Sequence, residues 1–242
     1  MIKGGEFLIK NQEAKDIFIP EEFGEDQKMM ASATKEFVEK ELDPHRERFE
    51  KKDYKLTEYC MKEAGELGLL GISVPLEYGG MGMPFNTSVL ICDKISGANG
   101  SFSTAFGAHT GIGTLPILLY GDDAQRSKYL PKLASGKWMG CYCLTEPGAG
   151  SDANSGKTKA VLTDNGKHYL ITGQKMWISN AGFADVFIVF ARIEDDKNIT
   201  GFILEKGMEG ITLGEEEKKL GLNSSSTRQV FFNDVKVQLK IY

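Results

Sequence analysis

The segment Cys141-Tyr142-Cys143-Leu144-Thr145-Glu146-Pro147-Gly148-Ala149-Gly150-Ser151-Asp152-Ala153 concentrates residues that could do chemistry. Its glycines let a ligand approach main-chain N–H groups, and Thr145 and Ser151 add hydroxyl donors. Gly148 to Ala153 also satisfies the spacing G-x-G-x-x-A. That spacing cradles a dinucleotide only where it opens a helix inside a strand–helix–strand unit. Asn154-Ser155-Gly156-Lys157-Thr158 follows instead, a run that forms helices poorly and leads into a strand, so a nicotinamide-type site is rejected. Glycines and hydroxyls directly after a strand suit a phosphate or the edge of a flavin. A plain connecting loop fits the same residues equally well.

Other candidates have blander readings. Glu146 and Asp152 form a tempting carboxylate pair, but bracing the loop through main-chain N–H groups is favoured over acid–base work. His109 lies among apolar neighbours and reads as a packed, hydrogen-bonded histidine. Trp177, taken from the strand pattern alone, reads as core, and Ser179-Asn180-Ala181-Gly182 as a turn. Cys60, Cys92, Cys141 and Cys143 fit no zinc spacing and read as buried free thiols, which predicts no metal and a reducing compartment, the cytoplasm. Glu215-Glu216-Glu217-Lys218-Lys219 reads as a solvated surface.

The elements that position these residues change character near residue 136. Before it the pattern is helical: Met30, Ala33, Phe37, Val38 and Leu42 recur on one face until Pro44, and a second helix fits Tyr54 to Leu67 with Gly68 as its stop. Val74 to Gly82 reads as a loop; helices resume over Asn86–Ala98, Phe102–His109 and Ala124–Leu133, the last capped by Asp122. Beyond Gly136 the period is two. Asp164-Asn165-Gly166-Lys167 predicts a hairpin turn between Lys157–Thr163 and His168–Thr172. Val186–Ala191 reads as a strand covered on both faces, and Phe202–Glu205, Ile211–Leu213 and Val230–Val237 as further strands. The fold class expected is α+β, an all-helical domain over 1–135 followed by an antiparallel, barrel-like β-domain over 136–242. The 242 residues are 41% hydrophobic and 26% charged, with 29 basic against 34 acidic side chains and a net charge of −5. That balance, without a basic stripe, excludes a nucleic-acid surface. No apolar run nears the ~20 residues a membrane span needs, and Met1-Ile2-Lys3-Gly4-Gly5-Glu6 does not open a secretory signal.

Cys143 to Ser155 resembles the signature of the acyl-CoA dehydrogenases: small, aliphatic, Ser/Thr, Glu, then small, Gly, Ser/Thr and Asp. Gly173-Gln174-Lys175-Met176-Trp177-Ile178-Ser179-Asn180 resembles a second family segment. Lys218 to Gly221, Ser226-Thr227 and Val230 to Val235 resemble a third, and Glu77 to Gly82 an upstream one, in family order. The resemblance implies FAD as cofactor, bound by Tyr142, Leu144, Thr145, Gly150, Ser151, Trp177, Ile178 and Ser179. Thr145 would bond the pyrimidine end of the ring, Trp177 would pack on it, and Ser179 would face N5, keeping the hydroxyl of the more common Thr. Ser151 would also be substrate-binding, at the CoA portion. Gly107, Gly111 and Gly113 would line a deep acyl pocket, as in very-long-chain members. The implied reaction is α,β-dehydrogenation of a fatty acyl-CoA in β-oxidation, with a carboxylate taking the α-proton and the β-hydrogen leaving as hydride. An electron-transfer flavoprotein would accept the electrons.

The base in this family is a Glu of a C-terminal helical bundle, and the chain reads Gln238-Leu239-Lys240-Ile241-Tyr242 where relatives lead into that bundle. No catalytic residue is therefore assigned. A homo-oligomer is expected only with that bundle, and the chain alone is expected to hold flavin weakly and to be inactive. Two other readings stay open: an acyl-CoA oxidase or nitroalkane oxidase on the same domains, and a shortened relative acting in binding or assembly.

Overall fold

The computed structural model describes residues 5–163 and 165–238. Past short 3₁₀ turns, α1 (Glu25–Phe37) begins with two acidic residues at its positive end and widens into a π-helical turn, Val38–Leu42. A short α2 (Arg46–Glu50) precedes α3 (Tyr54–Glu66), whose N-cap Asp53 accepts the Leu56 N–H at 3.1 Å. After an irregular 67–84 stretch come α4 (Phe85–Ala98) and α5 (Gly100–Gly107), which opens into a second π turn, Ala108–Gly113. Then follow α6 (Leu115–Tyr120) and α7 (Asp123–Ala134), the latter capped by Asp122 accepting from Gln125 N at 2.7 Å. That cap contributes about 1 kcal/mol. Phe37, Leu42, Phe49, Met61, Leu69, Ile91, Ile95 and Phe102 form the apolar centre of the helical half.

The strands are β1 (Gly140–Cys143), β2 (Lys159–Leu162), β3 (His168–Ser179), β4 (Val186–Ile193), β5 (Ile199–Glu205), β6 (Ile211–Glu216) and β7 (Thr227–Gln238). The expected hairpin joins β2 and β3, antiparallel with Ala160 opposite Ile171; Asp164, the first residue of its predicted turn, lies outside the described residues. Val186 to Val189 are buried, as expected of a doubly covered strand.

The antiparallel, barrel-like arrangement is corrected. The sheet is mixed and open: β1 and β2 both run parallel to β4, β5 pairs β4 on its other edge, and β3, β7 and β6 continue beyond β2. Among the described residues β5 and β6 are not joined, so no barrel closes. The cause is the chain between β1 and β2. β1 lies along Val186–Val189 and β2 along Arg192–Ile193 of the same strand. Residues 144–158 are thus an excursion between two segments lying along one side of β4. A period of two fixes which face a side chain takes, but it is silent on strand direction.

The halves meet through Val74, Ile117, Tyr129, Leu130, Leu133, Val186 and Ile188. Their backbones touch at Gly113 and Gly140, where a Cβ on Gly113 would stand 2.9 Å from the Gly140 carbonyl carbon. His109 fastens this crossing: its Nδ1 accepts the Gly140 N–H at 3.0 Å, so Nε2–H donates to Leu133 O at 3.0 Å. Burial pushes the His109 pKa from 6.5 down to about 4, against the pull of the Leu133 carbonyl. Below pH 6.5 the unfolded imidazole takes a proton that the folded one refuses. Stability is therefore full above that pH and falls by about 3 kcal/mol as pH drops toward 4. Denaturation at about pH 7 and about pH 5 should show wild type losing about 2 kcal/mol more than His109→Gln, and equal losses would contradict this.

Candidate functional site

The excursion after β1 is held at two places. Near its start, Glu146 turns inward and accepts Lys157 N (2.6 Å), Thr158 N (3.1 Å) and the Lys175 ammonium (2.7 Å). Lys175, only 2% exposed, also donates to Leu144 O at 3.1 Å, so one ion pair ties both limbs of the loop to β3. Burial alone would raise the Glu146 pKa, but the donors from Lys175, Thr158 and Lys157 outweigh it and hold the carboxylate below its ordinary range. Its lone pairs are committed, so Glu146 braces the loop and is no proton acceptor for a substrate. Near the loop's end, Asn154 Nδ2 donates to Lys197 O (3.0 Å), Ile199 N donates to Asn154 Oδ1 (3.1 Å), and the Arg192 guanidinium donates to Asn154 O.

Between these fastenings Pro147, Gly148, Gly150, Ser151 and Asp152 are exposed. A Cβ added to Gly148 or Gly150 would meet nothing within 4 Å, so the main chain there is open to a ligand. Ser151 Oγ makes no hydrogen bond among the described residues.

Met176 N donates to Thr145 O at 2.9 Å, joining the loop's first residues to the end of β3. There β3 is bulged between Lys175 and Ile178, where its pairing with β7 shifts register. Lys175 and Ile178 (2% exposed) both point inward, and Trp177 between them takes φ 58° and is itself 62% exposed. A left-handed backbone at a non-glycine residue costs about 1–3 kcal/mol. Here it turns a large apolar ring to the outside. Ser179, half-buried, pairs with Thr227, and Asn180 follows, fully buried at φ 65°.

The structure thus gathers Leu144, Thr145, Trp177, Ile178 and Ser179 at one end of β3, with the Ile178 side chain in the sheet core and not at the surface. Gly150 and Ser151 lie farther along the same loop. Tyr142 stands apart in the layer between sheet and helices, its ring 5.0 Å from that of Phe190. The sequence assigns Lys175 no role and Asn180 only a place in a turn, which its carbonyl closes by accepting Phe183 N and Ala184 N. Lys175 could have been found, because it shares the inward parity of Ile171 and a lysine at a core-facing strand position demands a buried partner.

In the helical half a cavity of about 220 Å³ is walled by the 69–74 segment, by Phe85, Val89 and Ile91 of α4, by Phe106 and Gly107 of α5, and by Gly111. Its wall hydroxyls are satisfied internally, Ser73 with Ser88 at 2.7 Å and Thr110 with Phe106 O at 2.9 Å. The rest of the lining is largely apolar, which suits an apolar chain. Gly107 and Gly111 line it with open space where a Cβ would sit; Gly113 does not, being pressed against Gly140. None of the residues lining it is a carboxylate. Cys92 lines it half-buried, while Cys60, Cys141 and Cys143 are buried free thiols. Among the described residues no three His, Cys, Asp or Glu are grouped to hold a metal, and no helix is long and apolar enough to cross a membrane.

Comparison with known proteins adds a family. The acyl-CoA dehydrogenase N-terminal domain matches residues 24–137 and the acyl-CoA dehydrogenase middle domain matches residues 141–235. A probable acyl-CoA dehydrogenase of Bacillus subtilis (strain 168) is 47% identical over 235 residues, 97% of this chain and 39% of its own length. The human mitochondrial very long-chain specific acyl-CoA dehydrogenase is 46% identical over 181 residues, 71% of this chain and 28% of its own. A crystal structure of an acyl-CoA dehydrogenase complexed with FAD from Bacillus anthracis superimposes with a TM-score of 0.92 at 46% identity, covering 98% of this chain and 40% of that one. The chain thus spans about two-fifths or less of the length of these relatives.

Proposed function

We propose, since this chain belongs to the acyl-CoA dehydrogenase family, that it forms the acyl pocket and one face of the FAD site of an enzyme that desaturates fatty acyl-CoA thioesters. The observation that carries this reading is Trp177, an indole turned outward on strained backbone one residue beyond the Met176–Thr145 hydrogen bond. An exposed ring held at a conformational cost is what a flat ligand would cover.

FAD, when bound, supplies a two-electron acceptor. The residues of this chain bind and orient. Gly148, Gly150 and Ser151 present main-chain N–H groups and a free hydroxyl, which suits both the cofactor chain and the CoA portion of a substrate. Thr145 and Ser179 bring hydroxyls to the polar edge of the ring, where fixed donors favour added negative charge. Trp177 covers the ring, and the backbone beside Ile178 sets its distance while the Ile178 side chain anchors the strand. Leu144 belongs to the loop's first limb, where its carbonyl accepts the Lys175 ammonium, and Tyr142 packs against Phe190 between sheet and helices. The cavity wall takes the acyl chain and excludes water. The wall itself holds no carboxylate, and we assign the base, by the family resemblance, to the portion that follows the middle domain in relatives. We assign the electrons to an electron-transfer flavoprotein, as in most relatives, and the protein to a reducing compartment on its free thiols.

The test pairs residues 1–242 alone with the same residues fused to the portion of the Bacillus subtilis relative that follows its middle domain. The fusion should bind FAD tightly and bleach with palmitoyl-CoA; the chain alone should bind it weakly and stay oxidised. Reduction by the chain alone would overturn the assignment of the base, and a fusion that takes no FAD would overturn the function.

The glycine wall makes a further expectation. Gly111→Leu would occupy space worth about four methylenes at about 0.8 kcal/mol each, so kcat/KM for palmitoyl-CoA should fall on the order of 100-fold. Butyryl-CoA should be affected far less. Equal losses for both substrates would show that the cavity does not hold the acyl chain.

A further inference from the structure

Asn180 follows the segment that presents Trp177 and Ser179, and it is fully buried with every polar group engaged. Its Nδ2 donates to Ala105 O of α5 at 2.8 Å. Its Oδ1 accepts from Ser225 Oγ at 3.2 Å, and its own N–H donates to that same oxygen at 3.3 Å. Its carbonyl takes Phe183 N (3.1 Å) and Ala184 N (2.9 Å), closing the turn after β3. Ala105 directly precedes Phe106 and Gly107, which wall the cavity. One side chain therefore bridges the end of β3, the cavity wall and the chain entering β7.

We infer that Asn180 is a positioning residue that fixes the Trp177–Ser179 segment against the wall of the apolar cavity. The residue type fits two demands at once. At φ 65° asparagine is among the few non-glycine residues tolerated, and its amide offers a donor and an acceptor in opposite directions. Aspartate would keep the acceptor and lose the donor; glycine would keep the backbone and lose both. The bridge makes the separation between ring-facing hydroxyl and acyl wall a fixed quantity of the fold, which is what holding two reacting positions on one substrate requires. Its catalytic consequence rests on the function proposed above; the bridge itself does not.

The test compares Asn180→Gly and Asn180→Asp with wild type by amide hydrogen exchange on the protein without cofactor. In Asn180→Gly the amides of 105–109 and of 178–181 should exchange faster together, by about 10-fold or more. In Asn180→Asp the α5 side should loosen while the Ser225 side holds. In the fusion that completes the enzyme, loaded with FAD, reduction by palmitoyl-CoA per bound flavin should slow by about 10- to 100-fold for Asn180→Gly with KM little changed. Exchange unchanged on either side in the glycine variant, or an unaltered reduction rate with only a lowered melting temperature, would overturn the inference. If wild type takes up no FAD in any form, the proposed function falls and the exchange pattern alone decides whether Asn180 bridges the two segments.

Discussion

Lys175→Met is expected to lower the free energy of unfolding by about 3–5 kcal/mol, because it leaves the Glu146 carboxylate buried without its cation. Glu146 is 6% exposed and Lys175 2%, so water cannot take the place of either partner. Two main-chain N–H groups would still reach Glu146, but the Leu144 carbonyl would lose the Lys175 donor. Removing both charges together, as Glu146→Gln with Lys175→Met, should recover much of the loss, since no unpaired ion remains. Urea denaturation of the two single variants and the double gives the coupling directly. A loss below about 1 kcal/mol for Lys175→Met would mean that the loop's shape does not depend on this pair.

Trp177→Gly is expected to behave in the opposite way, leaving stability within about 1 kcal/mol of wild type while weakening FAD about 10- to 100-fold. Glycine relieves the left-handed backbone, and its entropic cost of about 1 kcal/mol roughly offsets that relief. The indole contributes little to the fold because most of it lies outside. Against a flat ring it would contribute about 1.5–3 kcal/mol, from burial and stacking. Calorimetry of the variant and an FAD titration separate the two quantities. Strong destabilisation with unchanged affinity would return Trp177 to the core residue that simple strand alternation suggests.

That alternation shows where the sequence stops being legible. Read with a period of two, Ile171, Gly173, Lys175 and Trp177 share one face, and Trp177 goes inside with them. The bulge before Ile178 resets the parity, so Ile178 goes inside and Trp177 out. No residue type announces such a bulge. The helices from Glu25 to Ala134 were largely readable because apolar spacing, the Asp122 cap and the stop near Gly68 act locally. Helix α6 was not, since six residues with a proline in the first turn carry too little periodicity. The hairpin at Asn165-Gly166 was readable from turn chemistry, whereas the parallel run of β1 and β2 along β4 depends on how the 144–158 excursion returns. In the site, the open glycines and the bracing role of Glu146 followed from residue type. The Asn180 amide reaching a helix carbonyl 75 residues away is a tertiary fact with no local trace.

Trp177 and the loop at Thr145 must face a common flavin if this end of β3 holds the cofactor, and fluorescence measures that contact most directly. In Trp138→Phe, Trp177 is the only tryptophan of the chain. Added FAD should quench its emission saturably, and Lys175→Met should weaken the quenching by loosening the loop. FAD that binds saturably while Trp177 emission stays unquenched would contradict the placement of the cofactor at this end of β3.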